Sequence, residues 1–176
     1  PSRRSIVDRL EAAGVGPTHR SVGMLWLDDA VDAVVRKVKD LGVYNDTIFV
    51  YMADHGVVGK WSLHENGTRV PLIWKPARGA AEDARGGHLS RVMVQNIDFL
   101  PTLAEVAGFD LPDDLPMDGV SYASALSGSQ EAVHDDLFFE YGTQRAVRTN
   151  RYKYLAARYR PEDIERMQSG KSTAIN

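Results

Sequence analysis

The sequence predicts an α/β fold with a small antiparallel sheet and a helix at its C-terminal end. Three observations carry this. An amphipathic helical stretch runs through a tight turn into a short strand, "TIFVYMA" (47–53), apolar on both faces, which is half of an α/β repeat. A second short apolar run, "VPLIW" (70–74), follows a polar loop. From Asp135 onward, "DLFFEYG" and "RAVRTNRYKYLAARY" alternate apolar with polar residues, the period of strands with one face in water.

The elements follow in order. In "SVGMLWLDDAVDAVVRKVKDL", Met24, Leu27, Val31, Val34, Val35 and Val38 recur at steps of three and four, so a helix is expected from Ser21 to Leu41. Ser21 is its expected N-cap, and Gly42 its stop. The apolar strand after "YND" is of the kind buried between layers. "VPLIW" tolerates Pro71 near its start, where a missing donor does little harm. "PARGAAEDARGG" (76–87) reads as a loop and "LSRVMVQ" (89–95) as a third strand. "NIDFLPTLAEVAG" (96–108) reads as a helix with Asp98 as N-cap, Pro101 in its first turn and Gly108 as its stop. "YASALSG" gives one or two helical turns. Two to four strands are expected over 135–160, with "RTNRY" as a turn, and then a polar helix fraying into a tail over 161–176. The change of character at Asp135 divides the chain into 1–134 and 135–176.

Size and composition exclude several classes. At 176 residues, 43% apolar and 26% charged, the chain has the make-up of an ordinary globular domain. A net charge of −3 without a basic, aromatic-studded stripe argues against nucleic acid as a partner. No apolar run approaches the ~18 residues that cross a bilayer, so no membrane partner is expected. With no cysteine, the chain holds no disulfide, thiolate zinc site or cysteine nucleophile. Compartment is left open.

The chemistry concentrates in "ADHGVVGKWSLHENGTRVPLIW" (53–74). Ligands of open α/β sheets bind beyond the carboxyl ends of strands, which is where Asp54 and His55 fall. An acid beside a histidine there is half of a metal site; taken alone, the tripeptide fits an ordinary turn better, with Asp54 capping local amides and His55 half exposed. Lys60 is either a solvated surface charge or a point charge for an anion. His64 and Glu65 offer further polar contacts, or Glu65 caps locally or pairs with Arg69. His19, His88 and His134 lack partners at ligand spacing, so surface or packing roles are expected.

Taken together, "DTIFVYMADHG" and "GKWSLHENGTRVPLIW" resemble the second half of a sulfatase of the alkaline-phosphatase-like superfamily. Gly59, Lys60, Glu65, Gly67, Arg69, Val70 and Pro71 match that family's pattern in order. "LDDAVDAVVRKVKDLGVYNDT", "NIDFLPTLAEVAG", "PMDGVSYASALSG" and "RAVRTNRYKYL" resemble its flanking segments, so the likeness covers about residues 21 to 156. The resemblance implies a mixed sheet flanked by helices. It implies Asp54 and His55 as two ligands of a divalent cation, Ca²⁺ first and Mn²⁺ or Zn²⁺ as alternatives. Lys60 would be the substrate-binding and catalytic cation on a small-molecule sulfate ester.

The family's nucleophile is a formylglycine made from Cys or Ser in a Cys/Ser-x-Pro-Ser-Arg motif. "PSRRS" at the start does not supply it, because the expected Leu-Thr-Gly does not follow. "Asp28-Asp29" lies mid-helix and is not the family's early metal pair. The expectation is therefore the C-terminal portion of a sulfatase, with the nucleophile in a missing N-terminal part. The uncovered sheet would then favour self-association. A phosphodiester or phosphonate monoester hydrolase is the alternative enzyme, and an inactive scaffold the alternative outside catalysis.

Overall fold

The computed structural model describes residues 1–56, 58–78 and 87–170. Most of the expected 76–87 loop and the tail beyond residue 170 lie outside the described residues. The chain forms two compact units, Pro1–Thr47 and Ile48–Asn176.

The first unit is a helix pair. Helix α1 (Arg3–Ala12) was not anticipated in the sequence. Ser2 opens it, its hydroxyl accepting from Ser5 N at 3.2 Å, and Ile6 and Leu10 fall on one face a turn apart. With Val22 they form a buried cluster, against which Val7 and Leu25 pack. Arg9 closes the pair, its Nη1 reaching both oxygens of Asp29 at 2.8 and 2.7 Å. Helix α2 runs His19–Asp40. Its cap is Thr18 rather than the expected Ser21, because Thr18 Oγ1 accepts from Ser21 N at 3.1 Å. Ser21 is the capped residue, and its own hydroxyl is turned back to Gly16 O at 2.6 Å. Gly42, at φ 75°, takes the left-handed conformation that stops the helix.

The second unit holds both sheets. Strands β1 (Phe49–Met52) and β2 (Leu72–Lys75) pair antiparallel, Phe49 opposite Lys75 and Met52 opposite Leu72. The expected two-sided burial of β1 is not found: Val50 and Met52 are 41% and 40% exposed. Among the described residues this sheet has two strands, so alternate side chains reach solvent. The stretch 89–95, expected as a third strand, is irregular. Its amides turn to side chains, Arg91 N to Gln130 Oε1 and Val92 N to Ser90 Oγ.

Between the two strands lies the one-turn helix α3 (Glu65–Thr68). A 3₁₀ turn (Asn96–Asp98) leads into α4 (Phe99–Ala107), which Gly108 stops at φ 72°. Asp98 stands at the expected cap position but does not cap α4 with its side chain. Its carboxylate accepts from Gln95 N at 2.6 Å, Val120 N at 2.9 Å and His134 Nε2 at 2.9 Å. Thr102 extends this hub, donating to Asp98 O at 2.6 Å and accepting from Tyr122 N at 3.1 Å. Asp98 and Thr102 are both fully buried, and such groups are stable only when their bonding is satisfied.

Helix α5 (Ala123–Leu126) follows. Trp74 then meets Phe99 and Tyr122 edge to face, with Phe99 and Tyr122 tilted against each other and centroids 5.8–6.3 Å apart, joining β2 to α4. The expected C-terminal sheet is three-stranded: β3 (Asp136–Tyr141), β4 (Gln144–Thr149) and β5 (Lys153–Ala157), in that order and antiparallel. Helix α6 (Pro161–Gln168) ends the described chain, with proline in its first turn.

Candidate active-site loop

The loop from Ala53 to Arg69 is folded back on itself by backbone contact. Gly56 N donates to Gly67 O at 3.0 Å, and Ser62 N to Gly59 O at 3.0 Å. The backbones approach closely at three glycines: a Cβ on Gly56 would strike Asn66 O, one on Gly67 would strike the carbonyls of Gly59 and Ser62, and one on Gly59 would strike the Asn66–Gly67 peptide. Glycine is required there because only bare backbone fits. Leu63, 5% exposed, anchors the underside. The Asp-His-Gly turn and the Gly-Lys segment, separate in sequence, thus become one body.

Asp54 and His55 are brought together where β1 ends. Asp54 Oδ1 accepts from His55 N at 3.0 Å, which leaves Oδ2 facing His55 Nε2 at 3.5 Å. His55 Nδ1 lies 2.8 Å from Gly56 O. A carbonyl only accepts, so Nδ1 is the donor to Gly56 O, and Nε2 is the nitrogen left on the side of the carboxylate. Two ligands at ~2.2–2.4 Å from one cation stand roughly 3–3.5 Å apart, and this oxygen and nitrogen have that spacing. The Asp54 side chain is 84% exposed, so it is open to a ligand. Among the described residues no group of three or more His, Cys, Asp or Glu gathers; this pair fits part of a coordination sphere.

Lys60 is exposed, and its ammonium lies over the Trp61 ring, 5.2 Å from the centroid. The loop fold puts Lys60 in the same body as Asp54 and His55, but no direct contact to either is found among the described residues. Trp61 has φ 68°, the one non-glycine residue in the left-handed region among those described. A bulky side chain there costs on the order of 1–3 kcal/mol. Trp61 packs against Tyr141 with centroids 5.8 Å apart and remains 69% exposed.

Glu65 ties the loop to the C-terminal sheet. Its partners are Arg148 and Lys153, each at 3.2 Å; the pairing with Arg69 that the sequence also allowed is not among them. Lys153 is largely buried: its ammonium also donates to Thr68 Oγ1 at 2.7 Å and lies 4.2 Å from the Phe139 centroid. His64 is exposed at the start of α3 and makes no side-chain cap.

The other histidines sort as packing or surface groups. His134 is 13% exposed on Asp98, His88 Nε2 is 3.1 Å from Ala125 O, and His19 is exposed at the start of α2. Burial holds the Tyr122 phenol well above its ordinary range; Trp74, donating to it, opposes this, and the charge of Asp98 adds to it. The partnerships of Glu65 with Lys153 and of His134 with Asp98 span 88 and 36 residues, so no local spacing announced them. Trp61 carried one signal, an aromatic set directly beside the motif lysine.

A family profile described as Sulfatase matches residues 19–109, about half of the chain. An ulvan-active sulfatase of Formosa agariphila is 31% identical over 78% of this chain and 28% of the relative. Human arylsulfatase A is 30% identical over 81% of this chain and 31% of its own length. Human N-acetylglucosamine-6-sulfatase is 31% identical over 67% of this chain and 22% of its own. The chain belongs to the sulfatase family, whose domain has the alkaline-phosphatase-like fold. It spans between about a fifth and a third of the length of these curated relatives.

Proposed function

We propose that these residues form the metal- and ester-binding edge of a sulfatase that hydrolyses sulfate monoesters. The observation that carries this is the pairing of Asp54 Oδ2 with His55 Nε2 at 3.5 Å, with the histidine's other nitrogen committed to a carbonyl. Asp54 and His55 would hold a divalent cation, Ca²⁺ first and Mn²⁺ or Zn²⁺ as alternatives. When bound, the cation supplies positive charge that polarises the reacting ester. Gly56 O engages His55 Nδ1, which leaves Nε2 beside the carboxylate to share the cation. Lys60 binds a sulfate oxygen and stabilises the charge that builds there in the transition state.

The formylglycine nucleophile would come from sequence outside these 176 residues. The isolated chain is accordingly expected to bind without turnover. In the complete protein, Lys60→Ala should lower kcat/KM on sulfate esters roughly 10²–10³-fold. An unchanged value would remove Lys60 from the chemistry. Faster turnover of aryl phosphonates than of aryl sulfates would favour the phosphonate hydrolase instead.

A further inference from the structure

We propose that Lys153, on the C-terminal sheet, is a positioning residue for the motif loop: by holding both ends of α3 it sets Lys60 against the Asp54–His55 pair. The proposal rests on the reading of Lys60 as the contact to the ester oxygens and adds what keeps that lysine in place.

The contacts begin on the sheet. Arg148 on β4 and Lys153 on β5 are direct cross-strand partners, so their side chains share one face. Like charges directly opposite each other are destabilising, and neither strand contains an acid to offset them. Glu65 does so from the loop, its Oε1 taking Arg148 Nε and Lys153 Nζ, each at 3.2 Å. The sheet carries this pair of cations because the loop brings a carboxylate to it.

Lys153 does more than neutralise. Its side chain is 10% exposed, with the ammonium 4.2 Å from the Phe139 centroid. From there it donates to Glu65 Oε1 and to Thr68 Oγ1, the latter at 2.7 Å. Glu65 and Thr68 are the first and last residues of α3. Thr68 passes the contact on, its hydroxyl donating to His64 O at 3.3 Å. A helix of one turn has too few internal bonds to hold itself, so its seat is set from outside, by that ammonium.

Helix α3 in turn forms the wall against which the site loop rests. Gly56 N donates to Gly67 O at 3.0 Å, and a Cβ on Gly59 would strike the Asn66–Gly67 peptide. Gly56 follows His55, and Gly59 precedes Lys60. Asp54 and His55 stand at the end of β1, so a shift of α3 moves Lys60 relative to them. Misplacing a reacting group by about 1 Å costs on the order of 10²-fold in rate.

The test uses the complete protein with 4-nitrophenyl sulfate. Lys153→Met should lower kcat roughly 10- to 10²-fold and change KM less than about threefold, because Lys60 acts in the transition state. In a Lys60→Ala background the same change should lower kcat less than about twofold, since the group it places is gone. A merely structural role would lower the folded fraction in either background. An unchanged kcat, or an equal loss in both backgrounds, therefore overturns the proposal. Thr68→Val, which keeps the Glu65 contact, should lose roughly threefold in kcat with the same dependence on Lys60. It decides the matter if Lys153→Met fails to fold.

Hydrogen exchange reads the link without turnover. Lys153→Met should speed exchange of the Gly56 amide roughly tenfold and leave that of Val120, bonded to buried Asp98, unchanged. No change at Gly56, or an equal change at Val120, also overturns the proposal. If Lys60→Ala leaves kcat/KM intact, the Lys60 reading fails, and faster exchange confined to Gly56 still upholds the hold of Lys153 on the loop.

Discussion

The hub around Asp98 and the strand pair β1–β2 hold opposite kinds of residue in opposite places. Asp98 and Thr102, both polar, have no exposure at all, whereas Val50, Met52 and Ile73 are 40–60% exposed. The polar residues are buried because nearby backbone amides, a hydroxyl and one histidine complete their bonding. The apolar residues are exposed because one neighbouring strand covers an edge and leaves a face. Hydrogen bonding is thus complete around Asp98, whereas packing over the strand pair is one-sided. The motif loop belongs with the first kind, since it is held by its own backbone.

The largest expected effect tests the hub. Asp98→Ala leaves Gln95 N, Val120 N and His134 without their acceptor, and should cost about 3–5 kcal/mol, read from urea unfolding at low protein concentration. A loss under about 1 kcal/mol would mean that water replaces the carboxylate there.

Gly67→Ala comes next. Its new Cβ meets backbone rather than a flexible side chain, so the loop must open, at about 1–3 kcal/mol. Cation binding to the Asp54–His55 pair, read by calorimetry, should weaken with it. Glu65→Gln removes the charge facing Arg148 and Lys153 and should cost about 1–2 kcal/mol. Restoring stability by replacing Lys153 as well would show that the penalty lay in its stranded ammonium.

The fourth prediction concerns alkali. The folded pKa of Tyr122 is raised, so its contribution is complete below the unfolded value of about 10 and declines as pH rises above it. Tyr122→Phe should flatten that limb of the stability profile. The smallest effect on stability, within about 0.5 kcal/mol, is expected from Ile73→Lys on the exposed strand face. If the uncovered strand face drives self-association, the particle size by light scattering should fall with it; a monomeric parent chain or an unchanged particle size would remove this face from any such contact.

Much of this was legible in the residues themselves. Helices α2 and α4, the stops at Gly42 and Gly108, and the C-terminal strands rest on periodicity and turn chemistry, which are local. The Asp54–His55 turn was legible for the same reason: adjacent residues at a strand end. Capping was less so. Ser21 and Asp98 are both good cap residues, yet Thr18 sits three places before Ser21, and distant amides claim Asp98. The third strand failed because Ser90 and Gln130 satisfy amides that a ladder would have used. Helix α1 was missed because its apolar face is only Ile6 and Leu10, too short a pattern to stand out without its partner Val22.

The pinch between Gly59 and Gly67 has a last consequence. It is made of main-chain atoms, so the side chains displayed around it contribute little to its shape. A substitution at position 61 therefore leaves the carboxylate and imidazole at the separation that the main chain sets. A loop built this way tolerates change in what it displays while its frame holds still.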